Sequence, residues 1–134
     1  MDRLFLDANI LFSVAYRPDS GLRRLWQLAN VSLVTSLYAV EEARRNLTQP
    51  VQRAALQQLL STVQLLTATP DTPGLPCSVE LPEKDLPILA AAISARATHL
   101  LTGDMRDFGR YYGQCVEGVL ILPPAEYLRR LGAV

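Results

Sequence analysis

Residues 4–12 read Leu4-Phe5-Leu6-Asp7-Ala8-Asn9-Ile10-Leu11-Phe12, and the change of character at Asp7 decides the fold. An unbroken apolar run is what a strand covered on both faces requires, whereas a strand with one wet face alternates. Asp7-Ala8-Asn9 breaks the strand, and Ile10 to Tyr16 continues as an apolar helix until Pro18. An acid that ends a buried strand incurs desolvation, so its presence calls for a partner.

The same alternation recurs downstream. Ser20-Gly21 opens a helical piece with Leu22, Leu25, Trp26 and Ala29 on one face and Trp26 in the core. Val31 to Thr35 forms a second strand, and Ser36 caps a helix bearing Leu37, Val40, Ala43, Arg44 and Leu47 at helical spacing. Pro50 interrupts that helix, Val51 to Leu60 resumes as another, and Val63 to Leu66 reads as an edge strand. Pro70, Pro73, Gly74, Pro76 and Pro82 make the stretch from Ala68 to Pro82 a surface connection. A helix is predicted from Glu83 to about Ala97, with Pro87 in its first turn and Ala90, Ala91, Ala92 and Ala95 packing closely on a sheet. His99 to Thr102 is a strand ended by Gly103-Asp104, and a short helix around Asp107 to Tyr112 follows. After the strand Val119 to Leu122, Pro123-Pro124 starts a last helix with Tyr127, Leu128 and Leu131 inward. Apolar strands separated by helices define an α/β fold with a mostly parallel sheet.

The chain of 134 residues fits one compact domain, residues 1–134, and 49% hydrophobic residues supply its core. Thirteen basic residues balance thirteen acidic ones, which speaks against a protein holding nucleic acid by a strong overall positive field. A nuclease stays open, because it needs only local charge. No segment approaches the ~18 consecutive apolar residues of a membrane span, and Met1-Asp2-Arg3 heads no signal peptide, so a cytosolic location is expected. Cys77, Cys115 and His99 make a poor zinc set. The two cysteines read as buried, reduced thiols, and His99 as a strand residue with a satisfied ring. Any hydrolytic scheme therefore runs without a catalytic histidine. Basic charge is one-sided, with twelve arginines and a single lysine, Lys84. Base composition of the source genome is the simpler account of that bias. The pairs Arg23-Arg24, Arg44-Arg45 and Arg129-Arg130 nevertheless offer guanidinium forks suited to phosphate.

Topology gathers the acids. Asp7 ends the first strand and Asp104 follows the strand His99 to Thr102, so in a parallel sheet both face one edge. Right-handed crossovers bring helix N-termini to that edge as well, placing Asp85 there, with Glu42 less than two turns into its helix. Each acid also has a structural reading. Asp85 can stabilise a helix N-terminus, Glu42 can be a solvated residue like its neighbour Glu41, and Asp107 can cap the short helix after Gly103. Four carboxylates sharing one edge repel unless a cation compensates them. Oxygen donors alone point to Mg²⁺ or Mn²⁺, ions that bind phosphodiester oxygens and activate water.

The chain resembles the PIN-domain proteins, specifically the small VapC-type ribonuclease toxins. The resemblance runs through Phe5-Leu6-Asp7-Ala8-Asn9, Thr35-Ser36 with Glu41-Glu42-Ala43-Arg44, Asp85-Leu86-Pro87-Ile88-Leu89-Ala90-Ala91-Ala92, and Leu101-Thr102-Gly103-Asp104-Met105-Arg106-Asp107-Phe108. It implies a parallel, five-stranded sheet flanked by helices, and Mg²⁺- or Mn²⁺-dependent cleavage of single-stranded RNA to a 5′-phosphate and a 3′-hydroxyl. Carried over by position, Asp7, Glu42, Asp85 and Asp104 are the catalytic acids, with Glu41 the fallback for Glu42. Asp7, Asp85, Asp104 and Asp107 hold the metal, Asp107 through water or from a second layer, and Asn9 and Thr102 orient the ligands. Arg44, Arg45, Arg106 and Arg110 are candidates to guide the phosphate backbone. The resemblance further implies a small antitoxin partner and a homodimer. Two rivals remain. A haloacid-dehalogenase-like phosphatase would use Asp7 as nucleophile, but Asn9 cannot replace its second acid. A non-cutting, PIN-like RNA- or protein-binding scaffold would have no need of so costly an anionic crevice.

Overall fold

The computed structural model describes residues 1–68, 75–76 and 78–132. Strand β1 (Asp2–Leu6) passes through Asp7 into α1 (Ala8–Tyr16), and a 3-10 segment (Gly21–Gln27) leads to β2 (Val31–Ser36). Helices α2 (Leu37–Asn46) and α3 (Pro50–Leu60) and strand β3 (Gln64–Leu66) complete the first half. The second half holds α4 (Leu86–Ser94), β4 (His99–Leu101), α5 (Met105–Phe108) and a 3-10 turn (Gly109–Tyr111). It continues through β5 (Cys115–Val116) and β6 (Val119–Leu122) to α6 (Pro124–Gly132).

The sheet runs β3-β2-β1-β4-β6-β5. Its first five strands pair in parallel, and only β5 is antiparallel, against β6. The five-stranded parallel body is the one expected, and β5 is an addition at its edge. Glu117 (φ 49°) and Gly118 (φ 85°) both take left-handed backbone there, which lets the chain reverse in two residues. Leu4, Phe5 and Leu6 are fully buried at the centre of the sheet, which is why their run is apolar throughout.

Strand order positions the site. From β1 the chain builds outward through β2 and β3, then returns to lay β4 and β6 on the other side of β1. The crossovers therefore diverge between β1 and β4 and leave a crevice beyond their carboxyl ends. Leu6 pairs with Leu101, and the Asp7 N–H continues the ladder to Leu101 O at 3.1 Å. The Thr102 N–H likewise reaches Leu122 O at 3.1 Å. Asp7 and Thr102 thus emerge side by side, with a continuous hydrophobic core of Leu6, Ile10, Leu89, Leu100, Phe108 and Ile121 beneath them.

Several local expectations need correction. The helix predicted from Glu83 starts at Leu86 and ends at Ser94, because residues before Asp85 form a turn closed by the Asp85 N–H on Pro82 O (2.9 Å). The helical piece after Ser20 is a 3-10 helix, Gly21–Gln27, capped by Ser20. Trp26 is only partly buried, since its indole N–H reaches out to Leu59 O (3.0 Å). Leu37 and Leu131 sit at the rim and are exposed. The short helix begins at Met105, because Asp104 and not Asp107 caps it. Cys115 lies in the edge strand and is free and exposed rather than buried. Cys77, Pro70, Pro73 and Gly74 lie outside the described residues. Among the described residues no helix is long and apolar enough to cross a membrane.

Arginines take unforeseen work. The Nε of Arg3 donates to Ala95 O (2.8 Å) beyond α4, Arg53 to Leu47 O (2.7 Å) beyond α2, and Arg23 to Pro18 O (3.0 Å) beyond α1. Cations on these chain ends satisfy carbonyls that the helices leave unpaired and complement the helix dipoles.

Candidate functional site

The crevice at the β1/β4 switch point is a cleft of about 570 Å³ lined by Asp7, Asn9, Phe12, Glu42, Asn46, Lys84, Asp85 and Asp104, with Ala8 and Ala43. Four structural elements deliver its acids. Asp7 caps α1 from the end of β1, and Glu42 projects from the second turn of α2. Asp85 precedes α4, and Asp104 precedes α5.

Thr102 is the hub that joins them. Its hydroxyl donates to Asp7 Oδ2 at 2.7 Å and accepts from the Asp104 N–H at 3.1 Å. Asn9 bridges the same two strand ends, its amide donating to Asp7 Oδ2 (3.2 Å) and Thr102 Oγ1 (3.3 Å) while its oxygen accepts from the Gly103 N–H (2.8 Å). A side chain at residue 103 would meet Asn9 Oδ1 at 3.3 Å, so glycine permits this close approach. The other Asp7 oxygen accepts from the Ala8 N–H at 2.6 Å, and Asp104 Oδ1 accepts from the Asp107 N–H at 3.1 Å. Asp7 and Asp104 are therefore held in place before any ligand arrives.

Electrostatically the cleft is under tension. Burial pushes the Asp7 carboxyl up to about 6, against the Thr102 and Ala8 hydrogen bonds, and the charges of Glu42 and Asp104 push it further. Burial also pushes Asp85 up to about 7, reinforced by Asp107, whereas Asp107 itself is held below the usual carboxylate range by its neighbours Asp85 and Asp104. Asp85 occupies the N-cap position of α4, but its side chain makes no capping bond. Its Oδ2 is buried and has no hydrogen-bond partner among the described residues. A buried acceptor left open in this way costs about 1–3 kcal/mol unless something fills it.

Asp85, Asp104 and Asp107 each bring a carboxylate oxygen to within 4.8 Å of the other two. Three carboxylates, one of which has an orphaned oxygen, suit a divalent cation such as Mg²⁺ or Mn²⁺. Asp7 lines the same cleft but stands outside this trio, both of its oxygens being engaged by the chain. Glu42 lines the cleft, whereas Glu41 is exposed and does not. None of Arg44, Arg45, Arg106 and Arg110 is among the lining residues. Arg45 Nε lies 3.4 Å from Glu41 O, and Arg110 pairs with Glu80 at 2.9 Å. Sequence reasoning missed Lys84, Phe12 and Asn46 as lining residues. For Lys84 a signal existed, since it is the sole lysine and adjoins Asp85.

An α/β sheet with acids gathered at its switch point is the setting in which the PIN-domain family model matches residues 3–106, and the chain belongs to that family. That membership sets aside the phosphatase reading. Two solved structures are similar in fold. One is VapBC2 from Rickettsia felis bound to a DNA fragment from their promoter, with a TM-score of 0.64 and 19% identity over 90% of this chain and 98% of that one. The other is VapBC-1 from nontypeable Haemophilus influenzae, with a TM-score of 0.59 and 19% identity over 92% of this chain and 98% of that one. No curated protein matches the chain.

Proposed function

We propose that this chain, acting as one nuclease unit from residue 1 to 134, is a Mg²⁺- or Mn²⁺-dependent endoribonuclease that hydrolyses single-stranded RNA and serves as the toxin of a toxin–antitoxin pair. The observation that carries the reading is the unpartnered Asp85 Oδ2, buried beside Asp104 and Asp107 in an all-oxygen donor set. Membership of the PIN family and the likeness to VapBC structures support it. Asp85, Asp104 and Asp107 would hold the ion, with Asp7 and Glu42 completing the anionic lining. When bound, the ion supplies charge compensation, a seat for a phosphate oxygen and activation of water.

The chain contributes orientation. Thr102 and the Ala8 N–H keep both Asp7 oxygens turned in fixed directions, and the first turn of α5 does the same for Asp104. With Asp7 at about 6 and Asp85 at about 7, the metal-free cleft retains protons near neutrality that a dication displaces. Hydrolysis then adds water across the P–O3′ bond, leaving a 5′-phosphate and a 3′-hydroxyl. The proposed partners are a small antitoxin and a second copy of the chain.

The deciding experiment is cleavage of a single-stranded RNA oligonucleotide with Mn²⁺, with Mg²⁺ and with EDTA, for wild type and for Asp7→Asn. Metal-dependent cleavage that Asp7→Asn abolishes, with circular dichroism unchanged, is the expected result. A folded wild type that binds RNA but never cuts it would restore the scaffold reading.

A further inference from the structure

Twelve of the thirteen basic residues are arginine, and the remaining one, Lys84, stands in the acidic cleft. Among the described residues it is the only cation in the lining. Its ammonium lies 3.5 Å from Asp107 Oδ2, with the lysine side chain 62% exposed and that of Asp107 only 14%. Its backbone is pinned, Lys84 O accepting from the Tyr38 hydroxyl (2.7 Å) one residue before the turn bond from Asp85 to Pro82 O (2.9 Å). The stem is thus anchored at the cleft wall while the charged tip reaches solvent. The neighbouring Asp85 charge, with those of Asp107 and Asp104, holds the ammonium charged against its slight burial.

Chemistry distinguishes lysine from arginine here. A guanidinium forks onto carboxylates two bonds at a time and stays there, whereas an ammonium is a point charge with three rotatable donors that changes partner readily. Asp107 belongs both to this ion pair and to the cluster of three oxygens suited to a dication. The ammonium and the dication therefore compete for one carboxylate.

We propose that Lys84 is an exchangeable counter-ion, seated on Asp107 in the metal-free protein and transferred to a phosphodiester oxygen of the RNA once a dication takes the carboxylates. This rests on the nuclease reading and names the chain's own phosphate-binding group within it. Lys84 opposes metal binding and favours substrate binding, so its removal acts on the two in opposite directions.

The test uses wild type, Lys84→Gln and Lys84→Arg, with Mn²⁺ affinity measured by electron paramagnetic resonance without RNA and cleavage of a single-stranded RNA oligonucleotide at saturating Mn²⁺. Loss of a competing charge at this distance should tighten Mn²⁺ binding of Lys84→Gln about 3- to 10-fold. Loss of a charged phosphate contact should lower its kcat/KM roughly 30-fold or more, largely through KM. Lys84→Arg should keep Mn²⁺ binding at or below wild type and fail to restore cleavage. Unchanged or weaker Mn²⁺ binding by a folded Lys84→Gln, cleavage within about twofold of wild type, or full restoration by arginine would each overturn the exchange. These outcomes are read in a wild type that cleaves and an Asp7→Asn that does not. A wild type without metal-dependent cleavage overturns the nuclease reading itself.

Discussion

Strand β1 starts on one aspartate and runs out into another, and their surroundings are opposite in kind. At the amino end, Asp2 Oδ2 accepts from the Tyr127 hydroxyl at 2.6 Å. Nearby, the Arg3 N–H donates to Thr98 Oγ1 (2.8 Å), the Thr98 N–H to Arg3 O (2.8 Å), and His99 Nδ1 lies 2.8 Å from Thr98 Oγ1. The His99 ring packs edge-on against Tyr127, and its Nδ1 has the Thr98 hydroxyl as partner. At the carboxyl end, Asp7 and Asp85 are buried among like charges, and one Asp85 oxygen has no partner. Polar groups at one end close the fold upon itself. Those at the other hold unfavourable charge that protonation or a bound cation relieves, which is how a candidate binding site differs from a buried network.

The sharpest way to break this contrast is through activity. Asp104→Asn and Asp7→Asn should each lower RNA cleavage by about 10³-fold or more, whereas Asp2→Asn should stay within about twofold in the same assay. Stability should respond the other way. Asp85→Asn should raise the metal-free stability at pH 8 by roughly 1–3 kcal/mol in urea unfolding and erase the Mn²⁺-induced rise in thermal midpoint. Tyr127→Phe should cost about 1–2 kcal/mol by leaving Asp2 without its donor.

The sign of the pH dependence follows from the raised carboxyls. Asp7 at about 6 and Asp85 at about 7 both exceed the unfolded value of 3.8, so the native state binds more protons between these limits. Their contribution to stability is complete below about pH 4 and lost as pH rises through 6 to 7. The stability difference between wild type and Asp85→Asn, measured without metal, should therefore widen from pH 5 to pH 8, and saturating Mn²⁺ should narrow the wild-type loss. The smallest effect belongs to Gly103→Ala. Its new Cβ would press on Asn9 Oδ1 at 3.3 Å, and a slight tilt of the Asn9 bridge should reduce kcat/KM about two- to fivefold with little change in melting.

Legibility in the sequence tracked how local each determinant is. The Leu4-Phe5-Leu6-Asp7 run declares a buried parallel strand and the acid that ends it at once, and the switch-point rule then places Asp104 and Asp85 at the same cleft without any contact being known. The β5 strand was not legible, because two residues carry no period. The choice of Glu42 over Glu41 at the cleft depends on which way α2 turns, and the helical spacing named there mixed buried Val40 and Ala43 with exposed Leu37 and Arg44. The surroundings of the arginines were not legible for a related reason. Whether a guanidinium meets phosphate or a helix end depends on carbonyls brought close by tertiary folding, as with Arg23 on Pro18 O. Lys84 was passed over because a cation beside an acid, taken alone, reads as a solvated pair.

The pairing of β1 with β4 has a further meaning in time. Asp7 and its Thr102 partner are separated by 95 positions, and β4 can be laid down only against a β1 that has waited unpaired on that side. A chain growing from its amino end carries Asp7 and Glu42 with no acid cluster for them to join until Asp85 and Asp104 have been made. Its cleft assembles only after the His99 to Asp104 stretch has cleared the ribosome, so topology keeps the acids of the nascent polypeptide apart until then.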